Sequence, residues 1–122
     1  MSERPHYRLD AWKEAMSLVR TIYEVTRAFP KEELYGLTQQ MRRAAVSVPS
    51  NLAEGAARTS RKEFSQFISI AKGSLSELET QLLIAADLQY IDREGLIFPQ
   101  VEKVLDCSQV CIRVSALEKG LQ

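Results

Sequence analysis

The residue types best able to do chemistry in this chain are basic side chains near its middle. Glu54 and Glu63 are the acidic residues interspersed among them. An arginine guanidinium suits phosphate because its planar fork binds two oxygens at once. We therefore take this cluster as the candidate nucleic-acid-binding surface. Its members are Arg42, Arg43, Arg58, Arg61 and Lys62.

The overall charge favours a simpler interpretation of the same residues. Lys plus Arg and Asp plus Glu both number 16, so the net charge is zero, whereas phosphate binding normally draws on a basic excess. In the alternative, Arg43 and Glu54 pair with each other or with neighbours, and Arg61 and Lys62 are solvated. The balanced charge favours this structural role over nucleic-acid binding.

Signals for catalysis or metal binding are sparse. His6 is the only histidine, so a di-iron site with two Glu-x-x-His pairs is excluded. Glu77 and Glu79 are two residues apart and point to different faces of a helix, which disfavours an acid–base pair. We predict no catalytic residue, no metal site and no cofactor.

Two cysteines, Cys107 and Cys111, lie one helical turn apart. Disulfides are rare in the cytosol, and there is no second pair of ligands for zinc. We expect both thiols to be reduced and buried, as free cysteines usually are.

The elements that must position these residues are helices, and the second is the most informative. Apolar residues recur three and four apart, which places them on one face; they are Leu34, Leu37, Met41, Ala44, Val48 and Leu52. The opposite face carries Arg43, Ser47, Ser50, Glu54 and Arg58. Pro49 lies inside this helix and predicts a kink, because it removes one backbone donor.

Polar residues flank that proline. Ser47, Ser50 and Asn51 could line a polar pocket shared between subunits. Alternatively, their side chains satisfy the backbone groups that Pro49 releases. The second interpretation is favoured because buried backbone groups rarely go unpaired.

Three further helices complete the pattern. The first is expected from about Leu9 to Ala28, ended by Phe29-Pro30. Its residues spaced three and four apart predict a heptad-like core seam that comprises Leu9, Trp12, Met16, Val19, Tyr23 and Thr26. The third follows a capping box at Ser60–Glu63 and should run from Arg61 to Gln89, with Gly73-Ser74 suggesting close approach of a neighbouring helix. The fourth should begin at Arg93, or at Pro99 if it breaks there, and end at Lys119. These spacings predict an all-α, antiparallel up-down-up-down four-helix bundle of one domain, 1–122, in which residues 1–8 form a flexible N-terminus.

Extra apolar strips lie beside the predicted core stripes. They comprise Leu18, Ile22 and Val25 on the first helix and Val110, Val114 and Leu117 on the fourth. Since one stripe per helix suffices for a monomeric bundle, we predict that these six residues form a subunit interface. The alternative is wider burial within a single bundle.

Features of location are few. No apolar run approaches the roughly twenty residues of a membrane span. The N-terminus lacks the apolar core of a signal peptide. We therefore expect a cytoplasmic protein.

One long stretch carries a family resemblance. Its elements are Phe29-Pro30, Glu33-Leu34-Tyr35-Gly36-Leu37, Gln40, Arg42-Arg43-Ala44-Ala45, Ser47-Val48-Pro49-Ser50-Asn51-Leu52-Ala53-Glu54-Gly55 and Arg58. This pattern resembles the bacterial proteins encoded in intervening sequences of 23S rRNA genes and, more distantly, the accessory protein of diversity-generating retroelements. The resemblance implies a four-helix bundle assembled into a homopentamer. For the retroelement relatives it also implies binding of nucleic acid and reverse transcriptase, whereas the rRNA-encoded branch has no settled biochemical role.

Taken together, the sequence suggests a non-enzymatic, homo-oligomeric bundle. Our first hypothesis is association with rRNA or other nucleic acid through the basic cluster. The rival hypothesis is a structural scaffold or protein-protein interaction module that binds no nucleic acid.

Overall fold

Four α-helices make up most of the chain that the structure describes. The computed structural model describes the backbone of residues 4–120 and the side chains of residues 4–6 and 9–111. The helices are α1 (Asp10–Thr26), α2 (Leu37–Ala56), α3 (Arg61–Asp87) and α4 (Ile97–Gly120), with short 3-10 helices at Pro5–Arg8 and Lys31–Glu33. Residues 4–120 contain no β-strand. The predicted all-α, four-helix fold is confirmed, while the flexibility expected for residues 1–8 stays a prediction.

Each helix packs against the next, and α4 packs against α1. Between α1 and α4, Glu14 pairs with Lys103 at 3.1 Å and Ser17 accepts a hydrogen bond from Gln100 at 3.4 Å. Moving forward along α1 thus means moving backward along α4. This order of contacts matches the expected up-down-up-down arrangement.

The apolar stripe of α2 faces the core. Met41, Val48 and Leu52 are fully buried, as the three-and-four spacing predicts. Leu34, which we assigned to the same stripe, is exposed because it lies in the turn before the helix begins at Leu37.

The helix α2 is continuous through Pro49. Directly after this proline, the Ser50 hydroxyl donates to the carbonyl of Val46, one turn earlier in the helix, at 2.8 Å. The Asn51 amide donates to the Ser47 carbonyl at 2.8 Å and to its hydroxyl at 2.9 Å. These bonds go to the carbonyls of Val46 and Ser47, whereas the carbonyl that Pro49 leaves without its helical partner is that of Ala45. Satisfaction of the released group by these side chains therefore stays a prediction. The kink itself stays a prediction.

The corner between α2 and α3 is tightly packed. A Cβ atom added at Gly55 would lie 2.7 Å from the Cβ of Phe67, so the two helices approach closely there. The Ser60 hydroxyl accepts from the Glu63 amide at 3.1 Å and also donates to its carboxylate at 3.1 Å. The role of Ser60 as the N-cap is thus confirmed. The capping box also predicts that the Glu63 carboxylate accepts from the Ser60 backbone amide, but this carboxylate accepts from the Ser60 hydroxyl instead.

Close approach at Gly73, predicted from its small size, is wrong. Nothing lies within 4 Å of a Cβ built at that position. Its neighbour Ser74 does contact α2, because its hydroxyl lies 2.8 Å from the Ser47 hydroxyl.

The fourth helix begins later than Arg93, at Ile97. Asp92 accepts from the Glu94 amide at 3.0 Å and therefore closes a turn in the loop rather than capping the helix. Pro99 occupies the first turn of α4, where its missing N–H has no helical partner to lose, and causes no break.

The inward face of α1 differs from the expected one. Leu18 and Ile22 are 1% and 0% exposed and belong to the core. They continue a stripe that starts with Ala11 and Ala15, both buried, whose small size leaves room for neighbouring helices. Of the seam predicted to be the core stripe, Met16 and Tyr23 are exposed, whereas Thr26 is buried. Trp12 and Val19 of the same seam are partly buried against the core.

Candidate functional site

Arg42 of α2 contacts two residues of α1. Its Nε donates to the Thr26 hydroxyl at 2.9 Å, and its guanidinium lies 4.6 Å from the centre of the Tyr23 ring. The Thr26 hydroxyl in turn donates to the Ile22 carbonyl at 2.7 Å. Such a half-buried arginine, stacked and hydrogen-bonded, is preorganised, but it is only partly available to an external phosphate.

The other four basic residues differ in availability. Arg43 is exposed on α2. Arg58 pairs with Glu54 at 2.9 Å and lies 5.1 Å from the centre of the Phe67 ring. Arg61 is half-buried and Lys62 exposed in the first turn of α3.

These cations do not form one surface. Arg42 and Arg43 lie in the first half of α2, whereas Arg58, Arg61 and Lys62 surround its far end. At 1.5 Å per residue, the stretch of α2 between the two groups is about 20 Å long. The structure therefore divides the predicted patch into a pair and a trio.

The pair of arginines borders a groove between the end of α1 and the start of α2, which we call the α1–α2 groove. Its volume is about 580 Å³. The lining residues are Tyr23, Leu34, Tyr35, Gln39, Arg42, Arg43, Val46 and Ser47. The lining combines two cations with exposed apolar side chains and includes no carboxylate.

Local structure explains why apolar side chains face solvent here. The exposed fractions are 86% for Tyr35, 48% for Leu34, 41% for Val46 and 37% for Tyr23. Leu34 and Tyr35 belong to the turn that precedes α2, so they are not drawn into its buried stripe. The Glu33 carboxylate fixes this turn by accepting from the Leu37 amide at 3.4 Å and from the Tyr90 hydroxyl at 3.0 Å.

Sequence reasoning missed the apolar half of this groove. One signal was available: Val46 interrupts the polar face of α2, next to Ser47. The contribution of Tyr23 was hidden because we had assigned it to the core seam of α1.

Comparison with known proteins identifies the family. The profile of the 23S rRNA-intervening sequence protein family matches residues 7–105, which include α1, α2, α3 and the first turns of α4. The chain belongs to this family. No curated protein matches the chain.

In this 23S rRNA-intervening sequence protein, a second groove between α3 and α4 has the opposite charge. Its volume is about 690 Å³. It is lined by Glu79, Leu83, Phe98, Pro99, Glu102, Lys103 and Asp106. Three carboxylates face a single ammonium group there, and that ammonium already pairs with Glu14 of α1.

The predicted subunit interface of this family member is wrong at two of its six positions. Leu18 and Ile22 are core residues of their own chain, so a neighbouring subunit cannot reach them. Val25 is half-buried against that core and Val110 is exposed, while the side chains of Val114 and Leu117 lie outside the described residues. The physical reason is that Ala11 and Ala15 are small, so neighbouring helices can pack closely on this face of α1 and bury Leu18 and Ile22 with them.

Cys107 and Cys111 are free and half-buried against the core. Burial raises the pKa of both thiols, and the carboxylates of Glu14 and Asp10 add to the pKa of Cys107. Within the described residues, no group of three or more His, Cys, Asp or Glu side chains could hold a metal ion. The helices of the described region are also too short or too polar to cross a bilayer.

Proposed function

We propose that this 23S rRNA-intervening sequence protein is a non-enzymatic protein-interaction module that docks its partner in the α1–α2 groove. One observation carries the proposal: four large apolar side chains are exposed around a single concavity. Exposed apolar patches with a polar rim usually mark interaction sites. Tyr and Arg, both present here, are also enriched among residues that dominate binding energy.

The charges of the chain support a protein partner over a phosphate backbone. The net charge is zero, and the five basic residues of the cluster fall into two groups. Two of them already have partners within the chain, because Arg42 donates to Thr26 and Arg58 pairs with Glu54. Nucleic-acid binding relies on several cations acting on successive phosphates, and this arrangement provides few.

A site-specific photo-crosslinker tests the proposal. A benzophenone amino acid replaces Tyr35, the most exposed residue of the groove, in the cells that express the protein. Gln66, exposed on α3 and outside the groove, receives the same amino acid as a control. We expect a discrete crosslinked protein from the Tyr35 position that is absent from the Gln66 position. Identical products from both positions, or no protein adduct at Tyr35, would contradict the proposal.

Association with single-stranded RNA is the second candidate function, and one observation favours it. Tyr35 and Arg43 line the same groove, and aromatic rings that stack bases beside cations are typical of single-strand binding sites. Arg58, Arg61 and Lys62 would then contact more distant phosphates.

Fluorescence anisotropy with a labelled single-stranded rRNA fragment tests this candidate. Specific binding should weaken steeply as salt rises and should weaken in Tyr35→Ala, while Gln66→Ala serves as control. If no complex forms even at low salt, the RNA candidate is excluded.

We also propose that the protein is a homo-oligomer, with five subunits as the family resemblance implies. Exposed apolar side chains such as Val110 and Ile70 remain available for such contacts. Light scattering at micromolar concentration should return about five times the 13.8 kDa of one chain, and a monomer would refute the assembly.

A further inference from the structure

We infer that the occupant of the α1–α2 groove is an acidic amphipathic segment of another protein, with a carboxylate placed close to a large apolar side chain. The inference rests on the proposed function and specifies its partner. It follows from the charges of the groove, from its apolar wall and from the geometry of the rest of the bundle.

The charged lining of the groove is basic. Arg42 and Arg43 are its charged lining residues. Arg43 forms no ion pair with a carboxylate of the described residues, and on its α3 side it lines a second cleft together with Glu77. An approaching carboxylate would therefore meet a guanidinium with its donors available, which favours a bidentate bond.

The apolar wall is partly fixed before any partner arrives. Arg42 holds the Tyr23 ring from one side and bonds Thr26, so this part of the groove has few conformations to lose on binding. Such preorganisation strengthens binding because less side-chain entropy is lost. Leu34 and Val46 extend the wall with aliphatic surface, which suits an apolar side chain better than a flat base.

The geometry of the bundle disfavours a second copy as occupant. The complementary acidic groove of the same chain lies between α3 and α4, on the opposite side of the bundle from α1 and α2. A copy docked through it would leave its own basic groove open to the next copy. A contact between opposite faces tends to propagate as an open filament rather than close into a ring.

Selection from a random peptide library tests the occupant directly. The immobilised 122-residue chain is panned against phage-displayed peptides in three forms, namely wild type, Arg43→Glu and Lys13→Glu. Lys13 is an exposed cation on α1 outside the groove, so its variant has the same charge change and is the matched control. We expect the wild type and Lys13→Glu to enrich Asp and Glu beside large apolar residues, and Arg43→Glu to enrich Lys and Arg instead. A synthetic peptide from the wild-type selection should bind Arg43→Glu at least tenfold more weakly than Lys13→Glu.

The possible failures are distinguishable. Groove-directed peptides, recognised by their loss in Val46→Asp, that show no acidic preference would refute the inference and leave the docking function standing. No groove-directed peptide from any bait would refute both. Displacement of the selected peptides by a single-stranded RNA, or by an excess of the protein itself, would show that the occupant is nucleic acid or a second copy and would refute the inference.

Discussion

At the scale of single residues, two helical glycines in similar sequence settings have opposite surroundings. Gly55 lies where α2 crosses close to Phe67 and Phe64, while Gly73 is exposed with open space around it. The sequence shows two glycines inside helices, and only the packing of neighbouring helices assigns them different roles.

Replacement of these glycines by alanine should therefore change stability in opposite directions. Gly55→Ala places a Cβ 2.7 Å from the Phe67 Cβ, and such overpacking typically costs about 1–3 kcal/mol. Gly73→Ala meets no atom and should gain about 0.5–1 kcal/mol, because alanine restricts the unfolded chain. Urea denaturation of both variants measures the difference, and equal shifts for the two would show that the close approach at Gly55 is absent.

The cysteines give a prediction that depends on pH. Burial raises the pKa of the Cys107 and Cys111 thiols, so the folded chain holds these protons more tightly than the unfolded chain. Their stabilising contribution is complete below the pKa of the unfolded thiol, about 8.5, and is lost as pH rises through the folded pKa.

Alkylation by iodoacetamide provides the measurement for these thiols. At pH 8 both cysteines should react more slowly than glutathione, and their rates should rise with pH beyond the range where glutathione levels off. The same assay in denaturant serves as the control, because unfolding removes the burial. Glutathione-like rates in the folded protein would contradict the raised pKa values.

At the scale of elements, the start of α3 is set by a side chain that the sequence displays, whereas α1 and α2 begin without a side-chain cap. The cap of α3 at Ser60 was recognisable from the spacing of Ser60 and Glu63, and the structure confirms the bond to the Glu63 amide. The inward face of α1 was not recognisable in the same way. Both of its apolar strips have helical spacing, and the choice between them depends on whether neighbouring helices can approach Ala11 and Ala15.

The cap at Ser60 should contribute measurably to stability. Ser60→Ala removes the acceptor of the Glu63 amide and should lower the unfolding free energy by about 0.5–2 kcal/mol. Ser69→Ala, on the exposed face of α3, is the matched control and should change it by only a few tenths of a kcal/mol. Guanidinium denaturation compares the two, and an equal effect would mean that the cap adds nothing.

At the scale of the whole molecule, tertiary packing divides the apolar residues between the core and the proposed docking surface. The core takes Leu18 and Ile22, and it leaves Tyr23, Leu34, Tyr35 and Val46 to the surface. Burial in the chain's own core explains why Leu18 and Ile22, which looked superfluous in sequence, do not form an interface.

Truncation of Ile22 distinguishes a core position from an interface position. Ile22→Ala should destabilise the fold by about 2–5 kcal/mol, because it removes fully buried methyl groups, and it should leave the subunit number unchanged. Met16→Ala, on the outward face of α1, should have a much smaller effect. Denaturation combined with light scattering tests both statements, and dissociation of subunits without loss of stability in Ile22→Ala would place it at an interface.

The sequence by itself determined the helices, their order and the buried stripe of α2. These follow from spacing and capping, which act between residues a few positions apart and are therefore legible along the chain. It also gave the positions of the arginines along the chain, but not the contacts that they make. The tertiary structure alone decided that Arg42 is held by Tyr23 and Thr26, that the five cations divide into two groups, and that four apolar residues surround a groove. Those outcomes depend on which helix faces pack together, and that choice is made by the fit of side-chain volumes across helices distant in sequence.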